Sequence, residues 1–224
     1  MQIIEGILFE PVGCLVEFPS EPFHEIAARF FDPRKTSQRK KPSRSASRSY
    51  WHLLNLMEAA GTVDESARPK IEALELEGVE RATPYEDVLP ALSELKAMGV
   101  KLLMASSLSG AALTRLLEKA LLCDYFSAVW SRDTAGGIKT APFARALTEA
   151  SLEPAHTMFL TDTAEGLKVA QGVGVNSILM MNDPDEAKRL SMHNPAGGIV
   201  SLHELPDFVR FVTAQNTGQN QSLR

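Results

Sequence analysis

The sequence lacks most of the features that mark secreted, membrane-bound and nucleic-acid-binding proteins. It has 2 cysteines in 224 residues, with no CxxC or Cys/His spacing, which argues against a disulfide scaffold or a zinc site. No apolar run approaches the ~18 residues that a membrane helix needs, and no basic and apolar leader opens the chain. The net charge of −5 indicates no general attraction to nucleic acid. We therefore expect a soluble, cytoplasmic protein with no membrane contact.

Short apolar runs alternate with helical patterns along most of the chain. The runs have the composition of strands that are buried on both faces of a sheet. This alternation predicts right-handed crossovers and a doubly wound, Rossmann-like parallel sheet of the α/β class, with site residues at the carboxyl ends of the strands. The predicted strands span residues 3–9, 101–105, 128–131, 157–160 and 176–181. The predicted helices span residues 85–98, 109–121, 142–150, 164–173 and 183–190.

Residues 18–83 interrupt this alternation, because they contain helical patterns and no convincing strand. We therefore predict a core of residues 1–17 and 84–214 with a small all-helical unit inserted after the first strand. The polar residues 215–224 are expected to form a disordered tail. The helical patterns of the insertion span residues 22–31, 50–60 and 65–76.

The insertion also contains a strongly basic segment, residues 34–49, with seven Lys and Arg residues. Its Ser, Pro and Arg content is typical of a solvated loop. Three interpretations are open: a solvated loop without a partner, a docking loop switched by phosphorylation near Ser45 and Ser47, or an arm for RNA or another polyanion. The first is favoured, because no aromatic residues alternate with the basic ones.

The first predicted strand leads into a segment with the frame of a phosphotransfer loop. In residues 7–17 an apolar strand ends at Glu10, a tight turn containing Gly13 follows, and the chain continues through another apolar pair. Because the carboxyl ends of parallel strands gather the functional groups of such folds, Glu10 is a candidate catalytic or metal-binding residue.

Three later segments place polar residues near the ends of predicted strands or the starts of predicted helices. Ser106 and Ser107 follow the strand at 101–105, Lys139 stands just before a predicted helix, and Asp162 follows the strand at 157–160. The helix that begins near residue 109 would direct its free N–H groups toward the same place, which suits an anion.

In this order, the four segments resemble the four motifs of the haloacid dehalogenase (HAD-like) superfamily, in particular its capped branch of phosphoglycolate phosphatases and β-phosphoglucomutase-like proteins. The resemblance implies that the helical insertion is a cap that closes over substrate and excludes water. It also implies that Glu10 stands at the nucleophile position and Ser106 at the phosphoryl-binding position. Lys139 would then neutralise charge, and Asp162 would help to hold Mg²⁺.

The chain departs from this family pattern at several positions. The family has an Asp nucleophile and, two residues later, an Asp that protonates the leaving oxygen, where this chain has Glu10 and Val12. The longer Glu side chain shifts the attacking oxygen by about 1 Å, which in-line attack tolerates poorly, and Val12 cannot transfer a proton. Pro11 offers no N–H to a phosphoryl group. Gly166 stands where the family commonly has a second acidic residue.

These departures favour a catalytically impaired pseudo-hydrolase that binds a small anionic ligand through Ser106, Ser107 and Lys139, or that binds a protein partner. The alternative is a Mg²⁺-dependent hydrolase, a phosphatase of a small phosphorylated metabolite, with Glu10 as its nucleophile or general base. A second alternative is a polyanion-binding protein that uses residues 34–49, although nucleic acid is not the favoured partner.

The expected metal site consists of Glu10, the carbonyl of Val12 and Asp162. It would bind Mg²⁺ weakly or not at all, because two carboxylates remain with a reduced set of supporting residues. A purely structural interpretation of the anion-binding residues is also open. In that case Ser106 caps the following helix, and Lys139 pairs with Glu10 or Asp162.

Overall fold

The computed structural model of the chain describes residues 4–19, 21–23, 50, 53–54 and 68–219. The basic segment 34–49 lies outside the described residues, so its predicted role stays a prediction. The helical pattern predicted at 22–31 and most of the one at 50–60 also lie outside them.

The described part of the chain forms a six-stranded, wholly parallel sheet and a separate two-stranded ribbon. The α/β class and the doubly wound parallel sheet are therefore confirmed. The strands are β1 (Gly6–Phe9), β2 (Val16–Glu17), β3 (Thr83–Pro84), β4 (Lys101–Ala105), β5 (Ala128–Trp130), β6 (Thr157–Thr161), β7 (Asn176–Met180) and β8 (Gly197–Ile199).

Helices connect most of these strands and cover the sheet. They begin and end close to the predicted positions where the helical pattern of apolar residues is regular. The described helices are α1 (Arg68–Arg81), α2 (Val88–Ala97), α3 (Gly110–Lys119), α4 (Arg132–Ala135), α5 (Thr140–Glu149), α6 (Ala164–Gly172), α7 (Pro184–Leu190) and α8 (Leu205–Gln219). None of the helices in the described ranges is both long enough and apolar enough to cross a membrane.

Strand β1 shows why the apolar runs form a buried sheet. Successive side chains of a strand point to opposite faces, and Ile7 and Phe9 join one apolar cluster whereas Leu8 joins another. All three are 0% exposed. The sheet is therefore covered on both faces, which explains why its strands are continuously apolar instead of alternating with polar residues.

The order of the strands in the sheet is β5-β4-β1-β6-β7-β8. The chain runs outward from β1 through β4 to β5, then returns to the other side of β1 and continues through β6, β7 and β8. A reversal of this kind opens a crevice at the carboxyl ends of the central strands, where ligands of such folds bind. The residues after β1, β4 and β6 are therefore neighbours at this edge.

The two-stranded ribbon lies where the predicted insertion leaves and rejoins the core. Val16 pairs with Pro84 and Glu17 with Thr83, in antiparallel register. The two ends of the 18–83 segment are thus side by side, as an inserted unit requires. The division into core and cap itself stays a prediction.

Several elements were not predicted: the ribbon strands β2 and β3, helix α4, strand β8 and helix α8. Strand β8 was not predicted, because Gly197 and Gly198 have a low preference for strands and the pairing with β7 supplies the order. Helix α8 was not predicted either, and it continues to Gln219. Residues 215–219, which were expected to belong to the tail, are therefore helical.

Candidate active site

Glu10 directly follows β1 and so emerges at the middle of the carboxyl edge of the sheet. A tight turn then reverses the chain, with the carbonyl of Pro11 accepting a hydrogen bond of 2.9 Å from the N–H of Leu15. Gly13 in this turn has φ of +83°, which a residue with a side chain rarely adopts. The glycine that the sequence analysis placed in the turn is thus required by the backbone.

The side chain of Glu10 is almost fully buried, with 7% exposure. The hydroxyl of Ser106, at the end of the neighbouring β4, donates a hydrogen bond of 3.2 Å to its Oε1. Burial raises the pKa of Glu10 well above its usual range, and the hydrogen bonds from Ser106 and from the backbone N–H of Val12 only partly oppose this. The nearby negative charge of Asp162 raises this pKa further.

Asp162 follows β6, on the other side of β1, and is 8% exposed. Burial raises its pKa to about 7, the negative charge of Glu186 acts in the same direction, and hydrogen bonding by its own backbone N–H and by the Asn182 side chain lowers it. That amide donates from Nδ2 to Oδ2 of Asp162 at 2.9 Å and to the carbonyl oxygen of Gly13 at 3.4 Å. Asn182 therefore ties the end of β6 to the turn after β1.

Two oxygen atoms at this edge have no hydrogen-bond donor in the described part of the chain. They are Oδ1 of Asp162 and Oδ1 of Asn182, and both are buried. A buried acceptor without a partner is costly and is commonly explained by a bound ion or water. The chemistry of the donors, carboxylate and amide oxygens, is what Mg²⁺ or another hard divalent cation prefers.

The residues present thus fit a divalent cation, although the set of acidic ligands is small. No group of three or more His, Cys, Asp or Glu side chains suited to a metal occurs within the ranges that the structure covers. Two carboxylates, Glu10 and Asp162, are close enough for the charge of one to raise the pKa of the other. The carbonyl of Val12 as a third ligand stays a prediction, while its side chain is fully buried in the apolar core.

Ser107 and Lys139 are brought together, but mainly through the backbone. The N–H of Lys139 donates a hydrogen bond of 2.7 Å to Oγ of Ser107. Lys139 precedes α5 and has φ of +53°, an unfavourable conformation for a residue with a side chain. The hydroxyl of Ser107 thus holds the lysine in this conformation and retains its own hydrogen for donation.

Lys139 also faces Glu10 across a small cavity. The cavity has a volume of about 20 Å³, and Thr161 and Glu165 are among the residues that line it. A space of this size holds about one water molecule. The predicted residues Glu10, Ser106, Ser107, Lys139 and Asp162 therefore lie around one edge of the sheet, and their roles as ligands stay predictions.

A buried polar cluster next to this edge was not predicted from the sequence. Glu75 of α1 is 0% exposed and is hydrogen bonded by the guanidinium of Arg132 of α4. The N–H of Ser109 and the hydroxyl of Tyr50 each donate to its carboxylate at 3.1 Å. Arg132 also donates to the carbonyl of Ser107 at 3.1 Å, so the cluster is connected to the segment after β4.

The model of the haloacid dehalogenase-like hydrolase family matches residues 26–180, which is more than half of the chain. The chain belongs to this family. The predicted membership of this family is thus confirmed, while the correspondence of the four segments to the family's motifs stays a prediction, because the match begins after the segment with Glu10. No sequence among the curated proteins matches the chain significantly.

Solved structures with the same fold cover nearly all of this HAD-like chain. A predicted phosphatase from Clostridium acetobutylicum has a TM-score of 0.68 at 18% identity, covering 92% of this chain and 98% of its own. A predicted phosphoglycolate phosphatase from Haemophilus somnus 129pt has a TM-score of 0.65 at 15% identity, covering 93% and 98%. L-2-haloacid dehalogenase from Xanthobacter autotrophicus has a TM-score of 0.60 at 18% identity, covering 93% and 99%.

Proposed function

We propose that this HAD-like chain is a hydrolase that acts on a small phosphorylated substrate with the help of a divalent cation. The observation that carries the proposal is the meeting of Glu10 and Asp162 at the ends of adjacent strands, with one buried Asp162 oxygen left without a donor. From the sequence alone, an impaired pseudo-hydrolase was favoured and this hydrolase was the alternative. The family model, which describes hydrolases, supports the hydrolase.

Glu10, Asp162 and the carbonyl of Val12 are the groups that would hold the cation. When bound, the cation would neutralise the two carboxylates and the charge that develops on the phosphoryl oxygens. Lys139 lines the cavity beside Glu10, and its ammonium would add a positive charge to an anion that binds there. Ser106 fixes the Glu10 carboxylate by its hydrogen bond to Oε1.

The chemical step uses the Glu10 carboxylate as nucleophile. One carboxylate oxygen forms a bond to phosphorus while the bond from phosphorus to the leaving oxygen breaks, and the electron pair departs with that oxygen. Water then attacks the same phosphorus, the bond to Glu10 breaks, and inorganic phosphate and the carboxylate are released. Ionisation of Glu10 must precede the first step, because burial keeps its pKa high.

Val12 determines which substrates can react in this way. Its fully buried isopropyl group cannot protonate the leaving oxygen, so the proton must come from water. We therefore propose that the preferred substrates have a leaving oxygen that needs little protonation, as in acyl and aryl phosphates. Alkyl phosphate esters, whose leaving oxygens are strongly basic, would react slowly.

The test is an assay of the full chain with Mg²⁺ on p-nitrophenyl phosphate and acetyl phosphate. Glu10→Gln removes the nucleophile but keeps its shape, and we expect it to abolish hydrolysis. Glu5→Gln is the matched control, because Glu5 precedes the other end of β1 and its side chain is 48% exposed. An unchanged rate in Glu10→Gln would contradict the proposal.

A second function, binding of a small anion without turnover, is favoured by one observation. The Glu10 side chain is held by Ser106 and by the N–H of Val12, and no acidic side chain stands at position 12. This pseudo-hydrolase predicts that orthovanadate or phosphate binds in calorimetry and that Lys139→Ala weakens the binding. It further predicts no release of phosphate from either test substrate.

A further inference from the structure

The side of the site formed by the start of α6 has no room for an additional ligand at position 166. A Cβ atom added to Gly166 would lie 2.2 Å from Oγ1 of Thr161 and 2.8 Å from its Cβ. Thr161 is held in place, because its Oγ1 accepts a hydrogen bond of 3.2 Å from the N–H of Thr163. Position 166 therefore cannot supply a further protein oxygen to a cation near Asp162.

Asn182, just after β7, is placed to supply such an oxygen. Strand β7 pairs with β6, so the residues after the two strands are neighbours at the carboxyl edge. The Nδ2 of Asn182 donates to Oδ2 of Asp162 and to the carbonyl of Gly13, which uses both hydrogens of the amide. This arrangement fixes the orientation of the Asp162 carboxylate.

The remaining atoms of this pair carry the inference. Oδ1 of Asp162 and Oδ1 of Asn182 are both buried and both without a donor in the described ranges. While the Asp162 carboxyl is ionised, as cation binding requires, these two acceptors on hydrogen-bonded neighbours cannot satisfy each other, since neither has a hydrogen left to give. A cation or its bound water would satisfy both oxygens, whereas no donor within the described ranges is hydrogen bonded to either of them.

We propose that Asn182 is part of the divalent cation site. Its Nδ2 positions Asp162 against the turn after β1, and its Oδ1 adds an oxygen acceptor to the cation or to its water. Carboxylate and amide oxygens are hard ligands, so the site suits Mg²⁺ or Mn²⁺ and not a soft metal ion that prefers thiolate ligands. The inference shares one requirement with the proposed function, a divalent cation at Asp162.

Calorimetric titration of the full chain with Mn²⁺ tests this proposal without any substrate. Asn182→Ala removes both the clamp on Asp162 and the extra oxygen, and we expect Mn²⁺ to bind about 10–100-fold more weakly. Asn176→Ala is the matched control at the opposite end of β7, because the Asn176 amide donates to the carbonyl of Ala155 at 3.2 Å, away from the site. It should bind Mn²⁺ as the wild type does.

Asn182→Asp provides a second variant with the opposite expectation. The new carboxylate adds a charged oxygen beside Asp162, so Mn²⁺ should bind more tightly while the cation-free protein becomes less stable. If Asn182 had only a structural role, a substitution that lowers the stability of the protein would not make Mn²⁺ bind more tightly. This variant also keeps the test valid if Asn182→Ala does not fold.

The proposal is overturned if Asn182→Ala binds Mn²⁺ within twofold of the wild type, or if the wild type binds no Mn²⁺. Its failure is separate from failure of the proposed function. Mn²⁺ binding that depends on Asn182, without hydrolysis of any phosphate, would retain this inference and reject the hydrolase. Hydrolysis that depends on Glu10, with binding unaffected by Asn182→Ala, would do the reverse.

Discussion

Glu75 of α1 and Arg132 of α4 form a buried ion pair, with side chains 0% and 10% exposed. Helix α1 lies at the carboxyl end of the predicted insertion, whereas α4 follows β5 of the sheet. The pair therefore joins the insertion to the core. Through Ser107 and Ser109 it is also connected to the segment that contains Ser106. The position of α1 is thus coupled to one wall of the candidate active site.

Breaking this pair from one side should strongly destabilise the protein. Arg132→Met leaves the Glu75 carboxylate buried without its counter-charge, and such a loss costs about 3–5 kcal/mol. Burial already raises the pKa of Glu75 in spite of Arg132, so the Glu75 carboxyl of the variant should take up a proton as pH falls. The loss of stability should therefore be smaller at pH 5 than at pH 8. Urea unfolding of Arg132→Met and of the wild type at the two pH values measures the loss and its dependence on pH.

Two further variants serve as comparisons for Arg132→Met. Replacing both partners, as in Glu75→Leu with Arg132→Met, removes the unpaired charge and should be less destabilising than Arg132→Met alone. Arg81→Met is the control, because the Arg81–Glu77 pair at 3.7 Å is about half exposed and should contribute little. Equal stability of Arg132→Met and wild type would show that the pair does not hold α1.

Gly166→Ala should destabilise the protein by about 1–3 kcal/mol through overpacking, because its Cβ would collide with Thr161. Gly172→Ala in the same helix is the control. No atom lies within 4 Å of a Cβ built there, so the better helix propensity of alanine should leave stability unchanged or slightly higher. The midpoint of thermal unfolding should therefore fall for Gly166→Ala and stay the same or rise slightly for Gly172→Ala. Equal shifts of the two midpoints would argue against the close contact between position 166 and Thr161.

Without a divalent cation, the protein should lose stability as pH rises from about 4 toward 7. The pKa of Asp162 is raised to about 7 in the folded state, so the folded chain binds more protons than the unfolded chain in this range. The Glu10 pKa is raised as well and acts in the same direction. Urea unfolding in EDTA across this range, with Asp162→Asn for comparison, measures the slope.

The sign of this slope is the informative result. Asp162→Asn should flatten it, because the neutral amide has no proton to release. Addition of Mg²⁺ should reverse the loss at pH 7, since a cation favours the ionised carboxylates. A slope between pH 4 and pH 7 in EDTA that is the same in Asp162→Asn as in the wild type would contradict the raised pKa of Asp162.

The sheet was predictable because its strands are defined by local sequence. The runs that became β4, β6 and β7 each contain at least three consecutive apolar residues, as burial on both faces requires: 102–105, 158–160 and 178–180. Strand β8 was not predictable in this way. Gly197 lies so close to the Phe208 ring that a Cβ would be 2.2 Å from it, so packing against α8 explains the glycine. Such a contact has no local signal.

The same distinction applies to the site. Glu10, Ser106 and Asp162 follow apolar strands, and parallel strand order brings them to one edge. Asn182 also follows a strand and could have been included once β7 was placed beside β6. Glu75 and Arg132 could not, because their pairing depends on how two helices far apart in sequence pack together.

The leaving group should control the rate of hydrolysis. If Val12 provides no proton, kcat/KM should fall steeply across a series of aryl phosphates as the pKa of the leaving phenol rises. We do not expect Val12→Asp to restore acid catalysis by itself, because position 12 is fully buried and a carboxylate there would lower the stability of the fold. A flat dependence of kcat/KM on leaving-group pKa would indicate that another residue donates the proton.

Mass spectrometry of the peptide that contains Glu10, after acid quenching during turnover of acetyl phosphate with Mg²⁺, tests the central claim most directly. We predict a phosphoryl adduct on Glu10 in the wild type, and none in Glu10→Gln. Binding of the substrate with neither an adduct nor release of phosphate would contradict the proposed hydrolase and leave a protein that only binds the anion.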